Sequence, residues 1–341
     1  MTASAATGFS VRGLGPGLAL SAAVALVAVL SAPLVARVFP IPAMVIALVI
    51  GIAFNWLAEK EAFRAGITFS IKTLLRWAVA LLGLRISLGE IAALGLSTGL
   101  VVVVAMIATL VSGFLFARWL GQADAYGALA GAGTAVCGAS ATLATSTVIP
   151  DYKGKGADVA FVVVAVNTLS TFAMVLYPPL CALLGLDAQA TGIMLGATIH
   201  DVAQVVGAGY AVSEPVGNTA VIVKLFRVFL LLPVVIGVGL WFSRAAHSAK
   251  VPVPVFAFVF LALCLVNSVM PSLPAVMPVY ALAKPILVEF STWGLLIAIG
   301  ALGLSTSLRA IGRLGWRHVV NVTGTTIVIL IVVSAGLLAV R

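Results

Sequence analysis

The sequence contains little charge. Of its 341 residues, 9% are Asp, Glu, Lys or Arg and 62% are hydrophobic, and the mean hydropathy is +1.24. A soluble domain carries about 25% charged residues. The scarcity of charge excludes a soluble globular protein and predicts an all-α polytopic membrane protein in contact with the lipid bilayer. The formal net charge of +9 does not indicate a nucleic-acid partner, because most basic residues lie in short loops, where they set membrane orientation.

The chain also has few cysteines. Cys137, Cys181 and Cys264 all lie in apolar segments without paired spacing. Neither a disulfide framework nor a zinc site is therefore expected, and no cofactor or metal is predicted. No stretch is typical of a soluble domain or a long linker, so residues 1–341 are interpreted as a single transmembrane domain.

Eleven apolar segments fill most of the chain. A membrane-spanning helix needs about 20 apolar residues. By that criterion the segments lie at approximately 17–38, 42–58, 70–88, 96–117, 124–149, 159–184, 188–212, 218–243, 251–270, 279–305 and 319–340.

The basic loops predict the orientation. The connections 59–76, 244–250 and 306–318 carry most of the loop lysines and arginines, and counting spans places all three on one side. That side should be cytoplasmic, which makes the N-terminus cytoplasmic. The loop 150–158, with two lysines, falls on the opposite side if the fifth segment crosses the membrane. It moves to the basic side if the fifth and seventh segments are re-entrant, and the sequence leaves both topologies open.

An internal repeat is visible. Residues 82–95 align without gaps on residues 302–315, with eight of fourteen positions identical. An odd number of spans separates the two copies, so they point in opposite directions through the membrane. Inverted repeats are typical of secondary transporters. The alternative is chance similarity between Leu- and Gly-rich helix ends.

The fifth segment is interrupted by small and polar residues at 131–140. The candidate residues in this interruption are Gly133, Thr134, Cys137, Gly138 and Ser140. Glycine destabilises a helix by roughly 1 kcal/mol relative to alanine, and in lipid any backbone group freed by unwinding must find another partner. The pattern predicts a discontinuous helix lining a substrate or ion cavity, with N–H groups suited to an anion. The alternative is close helix packing by small residues.

The seventh segment is interrupted at the same relative depth, at 196–207. A pair of interrupted segments is the best sequence indication of a transporter's binding site. His200 and Asp201 are ionisable residues inside a span, which by default indicates a functional site. His200 and Gln204 are four residues apart and would share a helix face. We expect His200 to handle protons or contact substrate; the alternative is a histidine satisfied within the core.

The eighth segment carries two buried basic residues. Lys224 and Arg227 are three residues apart and share a helix face. Asp201 and Arg227 are both roughly 20 Å from the turn between their segments, at 1.5 Å per residue. We therefore expect an ion pair of Asp201 with Arg227 or with Lys224; the alternative is that this pair only holds two helices together. Asn167, in the sixth segment, is expected to make interhelical hydrogen bonds or to line the same pathway.

Three signatures carry a resemblance to a known family. They are Ala135-Val-Cys-Gly-Ala-Ser140, Ile199-His-Asp-Val-Ala-Gln-Val205 and Lys224-Leu-Phe-Arg227. Together with length, charge and hydropathy along nearly the whole chain, they resemble the YeiH-type sulfate exporter family of bacterial inner-membrane proteins. The resemblance implies membership of the broad group that includes bile-acid symporters and sodium–proton antiporters. That group has inverted repeats and discontinuous helices that cross near the membrane midplane.

The expected function is secondary active transport of a small inorganic or organic anion, with sulfate or sulfite implied by the resemblance. Half-helix N-termini near Gly133–Ser140, with Lys224 and Arg227, would bind the anion. His200 and Asp201 would couple its movement to H⁺ or Na⁺. The other partners expected are the bilayer and a second copy in a homodimer.

Two alternatives remain open at this point. In a monovalent cation–proton antiporter, Asp201 would carry the ion and the basic pair would be structural. In a membrane-embedded enzyme, His200 and Asp201 would be catalytic. The sequence has no cluster of metal ligands and no set of nucleophile and base to support catalysis, so a non-enzymatic function is expected.

Overall fold

The structure, a computed structural model, describes residues 11–35, 42–242, 254–274, 276–306 and 315–340, and within these ranges the regular structure is helical. Eight helices in the described ranges are long and apolar enough to cross a membrane. The prediction of an all-α polytopic membrane protein is therefore confirmed.

The helices follow one another with short connections. The first are α1 (Val11–Val35), α2 (Ala43–Ala53), α3 (Asn55–Ala58), α4 (Glu61–Phe69), α5 (Leu75–Leu81) and α6 (Leu88–Ala93). The next are α7 (Gly95–Trp119), α8 (Asp124–Ala135), α9 (Ala139–Ser146), α10 (Lys155–Leu183), α11 (Ala188–Thr198) and α12 (Val202–Val212). The last are α13 (Glu214–Phe229), α14 (Leu231–Trp241), α15 (Val255–Val269), α16 (Met277–Ser305) and α17 (Trp316–Val340).

Three of the eleven predicted apolar segments are not single long helices. Segment 42–58 contains the short helices α2 and α3, segment 124–149 divides into α8 and α9, and segment 188–212 divides into α11 and α12. The other eight correspond to the long helices. Both segments predicted to be discontinuous are therefore broken.

The chain forms two compact units. The first contains the described residues up to Val79 and those from Ile286 to Thr306. In it, Gly51 of α2 faces Gly303 of α16 so closely that a side chain on either would meet backbone atoms. The second unit contains residues 80–285 and the described residues from 315 onward. Every site residue predicted from the sequence lies in this second unit.

Polar contacts define two ends of the second unit. At one end, called here the His318 end, His318 Nε2 lies 3.2 Å from Asp158 Oδ1, and the Tyr126 hydroxyl donates to the His318 carbonyl oxygen at 3.2 Å. At the other, the Glu214 end, Arg85 Nη1 lies 3.7 Å from Glu214 Oε1. Helix α10 starts at the His318 end; its 29 residues span about 44 Å at 1.5 Å per residue.

The first interrupted segment folds back on itself. Helix α8 starts at the His318 end, where Tyr126 packs edge-on against the His318 ring. After α9, Lys155 Nζ donates to the Ile149 carbonyl oxygen at 3.3 Å, and Asp158, in the first turn of α10, contacts His318. The chain enters and leaves this segment at the same end. The segment is a re-entrant helical hairpin.

The second interrupted segment is also re-entrant. After α10, Gly185 adopts φ +62° and Asp187 caps α11, so the chain turns back at once. Gly192 of α11 lies against the second turn of α13, and Gly209 of α12 lies against Gly217 of α13. Helix α11 therefore starts, and α12 ends, beside the beginning of α13 at the Glu214 end.

The two hairpins enter from opposite ends and meet at their tips. The contact is close: His200 Nδ1 lies 3.1 Å from the Thr134 carbonyl oxygen. Each hairpin is followed by a long helix, α10 from the His318 end and α13 from the Glu214 end, so two hairpin–helix elements run in opposite directions. The repeat predicted at 82–95 and 302–315 concerns other residues, and positions 307–314 of its second copy lie outside the described residues.

The re-entrant arrangement is testable by labelling single cysteines from one side of the membrane. In a cysteine-free background, we expect Lys153→Cys and Trp316→Cys to react with an impermeant maleimide from the same side. Glu214→Cys should react from the opposite side. All three positions are exposed. Reaction of Lys153→Cys and Glu214→Cys from one side would contradict the hairpin.

Candidate functional site

Each hairpin tip is a short break between two helices. The first tip is 136–138, between α8 and α9, and the second tip is 199–201, between α11 and α12. Both are narrower than the interruptions predicted at 131–140 and 196–207. Gly138 has φ +63° and ψ −122°, a conformation that L side chains rarely adopt. Glycine at this position lets the chain reverse into α9.

The glycines that suggested longer breaks lie inside helices. A side chain at Gly131 would meet the backbone of α7, and one at Gly196 would meet the Ala220 carbonyl of α13. Gly133, in the last turn of α8, lies against Thr142 of α9. Small residues thus bring helices together, as the packing alternative predicted, and the breaks lie beside them.

Lys224 of α13 lies between the two tips and is fully buried. Its ammonium group donates to the carbonyl oxygen of Val136 in the first tip at 2.7 Å. It also donates to the carbonyl oxygens of Ile199, at 3.1 Å, and of His200, both in the second tip. An ammonium group has three donors, so all of them reach main-chain oxygens.

Arg227, one turn further along α13, is also fully buried. Its Nε and Nη2 donate to the Ala135 carbonyl oxygen at 3.0 and 2.8 Å, and Nη2 also donates to that of Thr134 at 2.9 Å. Its Nη1 donates to the carbonyl oxygens of Gly196 and Ile199, both at 3.1 Å. A guanidinium group has five donors, and all of them are used on the two hairpins.

These carbonyl groups need partners because they stand at helix ends. The last four carbonyl groups of a helix have no donor within it, and such an end carries about half a negative charge. Helices α8 and α11 both end at the tips, so their negative ends converge on Lys224 and Arg227. Because an unpaired carbonyl group in a membrane costs several kcal/mol, the two cations fasten the hairpins to each other.

The ion pair predicted between Asp201 and Arg227 or Lys224 stays a prediction. The hydrogen bonds described for both cations are directed at carbonyl oxygens of the two hairpins. Asp201 is half-buried at the start of α12 and interacts electrostatically with Lys224. The N–H groups of Asp201 and His200 donate to Ser170 Oγ of α10 at 3.1 and 3.0 Å. The prediction did not count the backbone acceptors that a broken helix exposes.

His200 lies in the second tip, before α12 begins, so the helical spacing that would align it with Gln204 does not apply. Its Nδ1 faces the Thr134 carbonyl oxygen, which only accepts, so Nδ1 carries a proton. Its Nε2 lies 2.9 Å from Thr326 Oγ1 of α17, and this hydroxyl also lies 2.8 Å from the Val322 carbonyl oxygen. The Thr326 hydroxyl can donate to a neutral imidazole, or accept from an imidazolium while donating to Val322. The hydrogen bonds of His200 are satisfied in both protonation states.

The second halves of the hairpins begin at the tips and present N–H groups there. Ser140 lies half-buried in the first turn of α9, and Gln204 lies fully buried in the first turn of α12. In a helix the Cα–Cβ bond tilts toward the N-terminus, so that of Gln204 tilts toward the second tip. Neither of its amide atoms has a hydrogen-bond partner among the described residues. Such a group costs about 1–3 kcal/mol, a cost typical of functional positions.

Two other predicted residues lie close to the tips. Cys137 is buried within the first tip, and Asn167 is half-buried on α10, three residues before Ser170. Ser170 and Thr326 contact the second tip; Ser170 belongs to the polar group of Asn167 that was expected to form interhelical hydrogen bonds or line the pathway, whereas Thr326 was not predicted. Their signals were the polar run 167–171 in the sixth segment and the threonine cluster around Thr326 in the last segment.

We expect Arg227→Met to lower the free energy of unfolding by about 3 kcal/mol or more, because four buried carbonyl groups lose donors. Thermal unfolding of the purified protein in detergent measures this. Arg118→Met is the matched control, because Arg118 forms an exposed ion pair with Asp124 at 2.8 Å and such pairs contribute little. Equal destabilisation by both changes would contradict the role assigned to Arg227.

The chain is similar to a family of membrane proteins. Residues 16–322 match the family described as Conserved hypothetical protein 698. UPF0324 membrane protein RB0971 of Rhizobium meliloti strain 1021 is 42% identical over 329 residues, which cover 95% of this chain and 92% of the relative. UPF0324 membrane protein CT0845 of Chlorobaculum tepidum is 40% identical over 299 residues, covering 86% and 81%. UPF0324 membrane protein TauZ of Paracoccus pantotrophus is 40% identical over 329 residues, covering 94% of each chain. No solved structure matches the chain. The chain therefore belongs to the Conserved hypothetical protein 698 family, whose relatives here are UPF0324 membrane proteins.

Proposed function

We propose that the protein is a secondary active transporter of a small anion, working by alternating access in the bacterial inner membrane with its N-terminus in the cytoplasm. The observation that carries the proposal is the meeting of two oppositely directed re-entrant hairpins at their tips. Transporters bind substrate near the membrane midplane, where half-helices end and their termini are left free. In this chain the half-helix ends that Lys224 and Arg227 do not fasten are the starts of α9 and α12.

The charge distribution favours an anion. Helix N-termini carry partial positive charge and unpaired N–H groups, and α9 and α12 both begin at the tips. The Ser140 hydroxyl and the Gln204 amide supply further donors beside them. Lys224 and Arg227 add two positive charges close by, although their own hydrogen bonds hold the tips. The anion therefore binds in their field and takes its direct hydrogen bonds from the two N-termini.

Asp201 couples the anion to a proton. Its carboxylate stands at the start of α12, where it would repel an anion bound at that N-terminus. Protonation of Asp201 removes the repulsion, so anion and proton bind together. His200, whose hydrogen bonds are satisfied with or without a second proton, is the proposed partner with which Asp201 exchanges that proton. Sodium is the alternative coupling ion.

Each hairpin supplies one gate. The first closes the site toward the His318 end, and the second closes it toward the Glu214 end. Displacement of one hairpin while the other stays fastened to α13 would open the site to a single side at a time. Sulfate and sulfite are the anions to test first, because the signature residues resemble a sulfate exporter family.

The direct test is counterflow of radiolabelled sulfate and sulfite in proteoliposomes under an imposed pH gradient. We expect the wild-type protein to use the pH gradient to accumulate anion against the anion's own concentration gradient. Asp201→Asn should lose this effect of the pH gradient, because its amide cannot exchange a proton. Asp151→Asn, a change at an exposed aspartate that pairs with Lys155, is the control and should transport like wild type.

Two outcomes would contradict the proposal. Sodium- or potassium-driven proton movement that is indifferent to added anions would assign the protein to cation–proton antiport. Anion movement that only follows the anion's own concentration gradient would assign the protein to passive conduction.

Gln204→Met separates a ligand-binding role from a structural one. Because the change removes an amide that lacks partners among the described residues, we expect the free energy of unfolding to rise by about 1–3 kcal/mol while anion transport falls. Val205→Ala, next to it on α12 and also buried, is the control: it should lower stability and keep transport per folded molecule. Loss of stability in Gln204→Met would contradict the assignment.

A further inference from the structure

The surroundings of the Lys224 ammonium group are those of an ion site. Three carbonyl oxygens, from Val136, Ile199 and His200, converge on one nitrogen. They come from both hairpins, and the site is fully buried. Carbonyl oxygens that replace a hydration shell are the ligands membrane proteins offer to monovalent cations. In transporters with broken helices, unwound carbonyls and half-helix C-termini bind the coupling cation.

The field at this point also demands a positive charge. The C-terminal ends of α8 and α11 both face it, and each helix end carries about half a negative charge. Neutral hydrogen-bond donors would satisfy the carbonyl oxygens but would leave the two helix ends uncompensated. Lys224 meets both requirements with a compact point charge on a flexible stem.

Arg227 does not create an equivalent site. Its planar fork distributes five donors over four carbonyl groups, those of Thr134, Ala135, Gly196 and Ile199. A single spherical ion cannot reproduce that spread. The two neighbouring cations are therefore separable by experiment: only the position of the Lys224 ammonium has the geometry of one ion.

We propose that the Lys224 ammonium group is a tethered ion occupying a monovalent-cation site, so that the chain supplies the cation that a sodium-coupled transporter would take from solution. The site is preformed for an ion of ammonium or potassium size, because the Val136 and Ile199 oxygens stand 2.7 and 3.1 Å from the nitrogen. The consequence of the tethered ion for transport rests on the proposed function. If the protein is an anion transporter, the wild type needs neither sodium nor potassium, and the proton is the coupling ion.

The test removes the tethered ion and offers a free one. Wild type, Lys224→Ala, Lys224→Met and Leu195→Ala are purified in N-methylglucamine chloride, and their thermal unfolding is followed during titration with ammonium or potassium chloride at constant ionic strength. We expect Lys224→Ala to be destabilised and then to gain about 3 °C or more in Tm as the cation binds. Sodium should give a smaller gain, because the Val136 and Ile199 oxygens, at 2.7 and 3.1 Å, must move inward to reach it.

The other variants identify the cause of the gain. Lys224→Met keeps the volume of the side chain without its charge and should stay destabilised in every salt. Leu195→Ala opens a cavity at a buried position of α11 without removing a hydrogen-bond donor, and it should not respond to cations. If Lys224→Ala is recovered folded only when ammonium or potassium is present, that recovery is the expected result. Its failure in all buffers, a flat titration, or equal shifts in all four proteins would overturn the proposal.

Transport distinguishes this proposal from the broader one. A cation-dependent Tm in Lys224→Ala without anion flux in the wild type would retain the ion site and reject the anion transporter. Anion flux in the wild type that requires sodium or potassium would retain the transporter and reject the tethered ion.

Discussion

The second unit depends on the rule that backbone carbonyl groups inside a membrane must have partners. Breaking a helix at the midplane releases carbonyl groups where water is absent. The chain breaks two helices and aims their released carbonyls at the same point. Lys224 and Arg227 satisfy them with eight donors between them. The breaks and the buried cations are therefore one feature: neither would be stable in lipid without the other.

This arrangement divides each hairpin into two halves of opposite polarity. The first halves, α8 and α11, end in carbonyl groups that the two cations hold in place. The second halves, α9 and α12, begin with N–H groups, and beside them stand Ser140, Asp201 and Gln204. The partial charge of the helix end therefore changes sign across each tip. It is negative at the carbonyl end that the cations hold and positive at the N–H end that follows. Only three residues separate the fastened carbonyl end from the N–H end to which we assign ligand binding.

The sequence predicts much of this and misses its geometry for identifiable reasons. Glycines, hydroxyl residues and intramembrane charges mark both breaks and both cations. The hydrogen-bond acceptors of Lys224 and Arg227 are main-chain oxygens. Every residue type has such an oxygen, so the sequence does not reveal these acceptors, and a carboxylate, that of Asp201, was the expected partner. Apolar length does not distinguish a helix that crosses from a hairpin that returns, and only contacts such as Asp158 with His318 decide it. The pairing of His200 with Thr326 joins positions 126 residues apart, beyond the reach of local pattern.

The separation along the chain between the first tip and its donors has a consequence for biosynthesis. Ala135 and Arg227 are 92 residues apart, so at translation rates of about 5–20 residues per second the first tip exists for about 5–18 s before Arg227 is synthesised. During that time its carbonyl groups lack the Lys224 and Arg227 donors that satisfy them in the folded unit, and they must be hydrated or sheltered by the insertion machinery. Helix α13 then completes both hairpins at once. The dehydration of both tips by basic donors therefore waits for this one helix, and α17, whose Thr326 contacts His200, reaches the second tip later still.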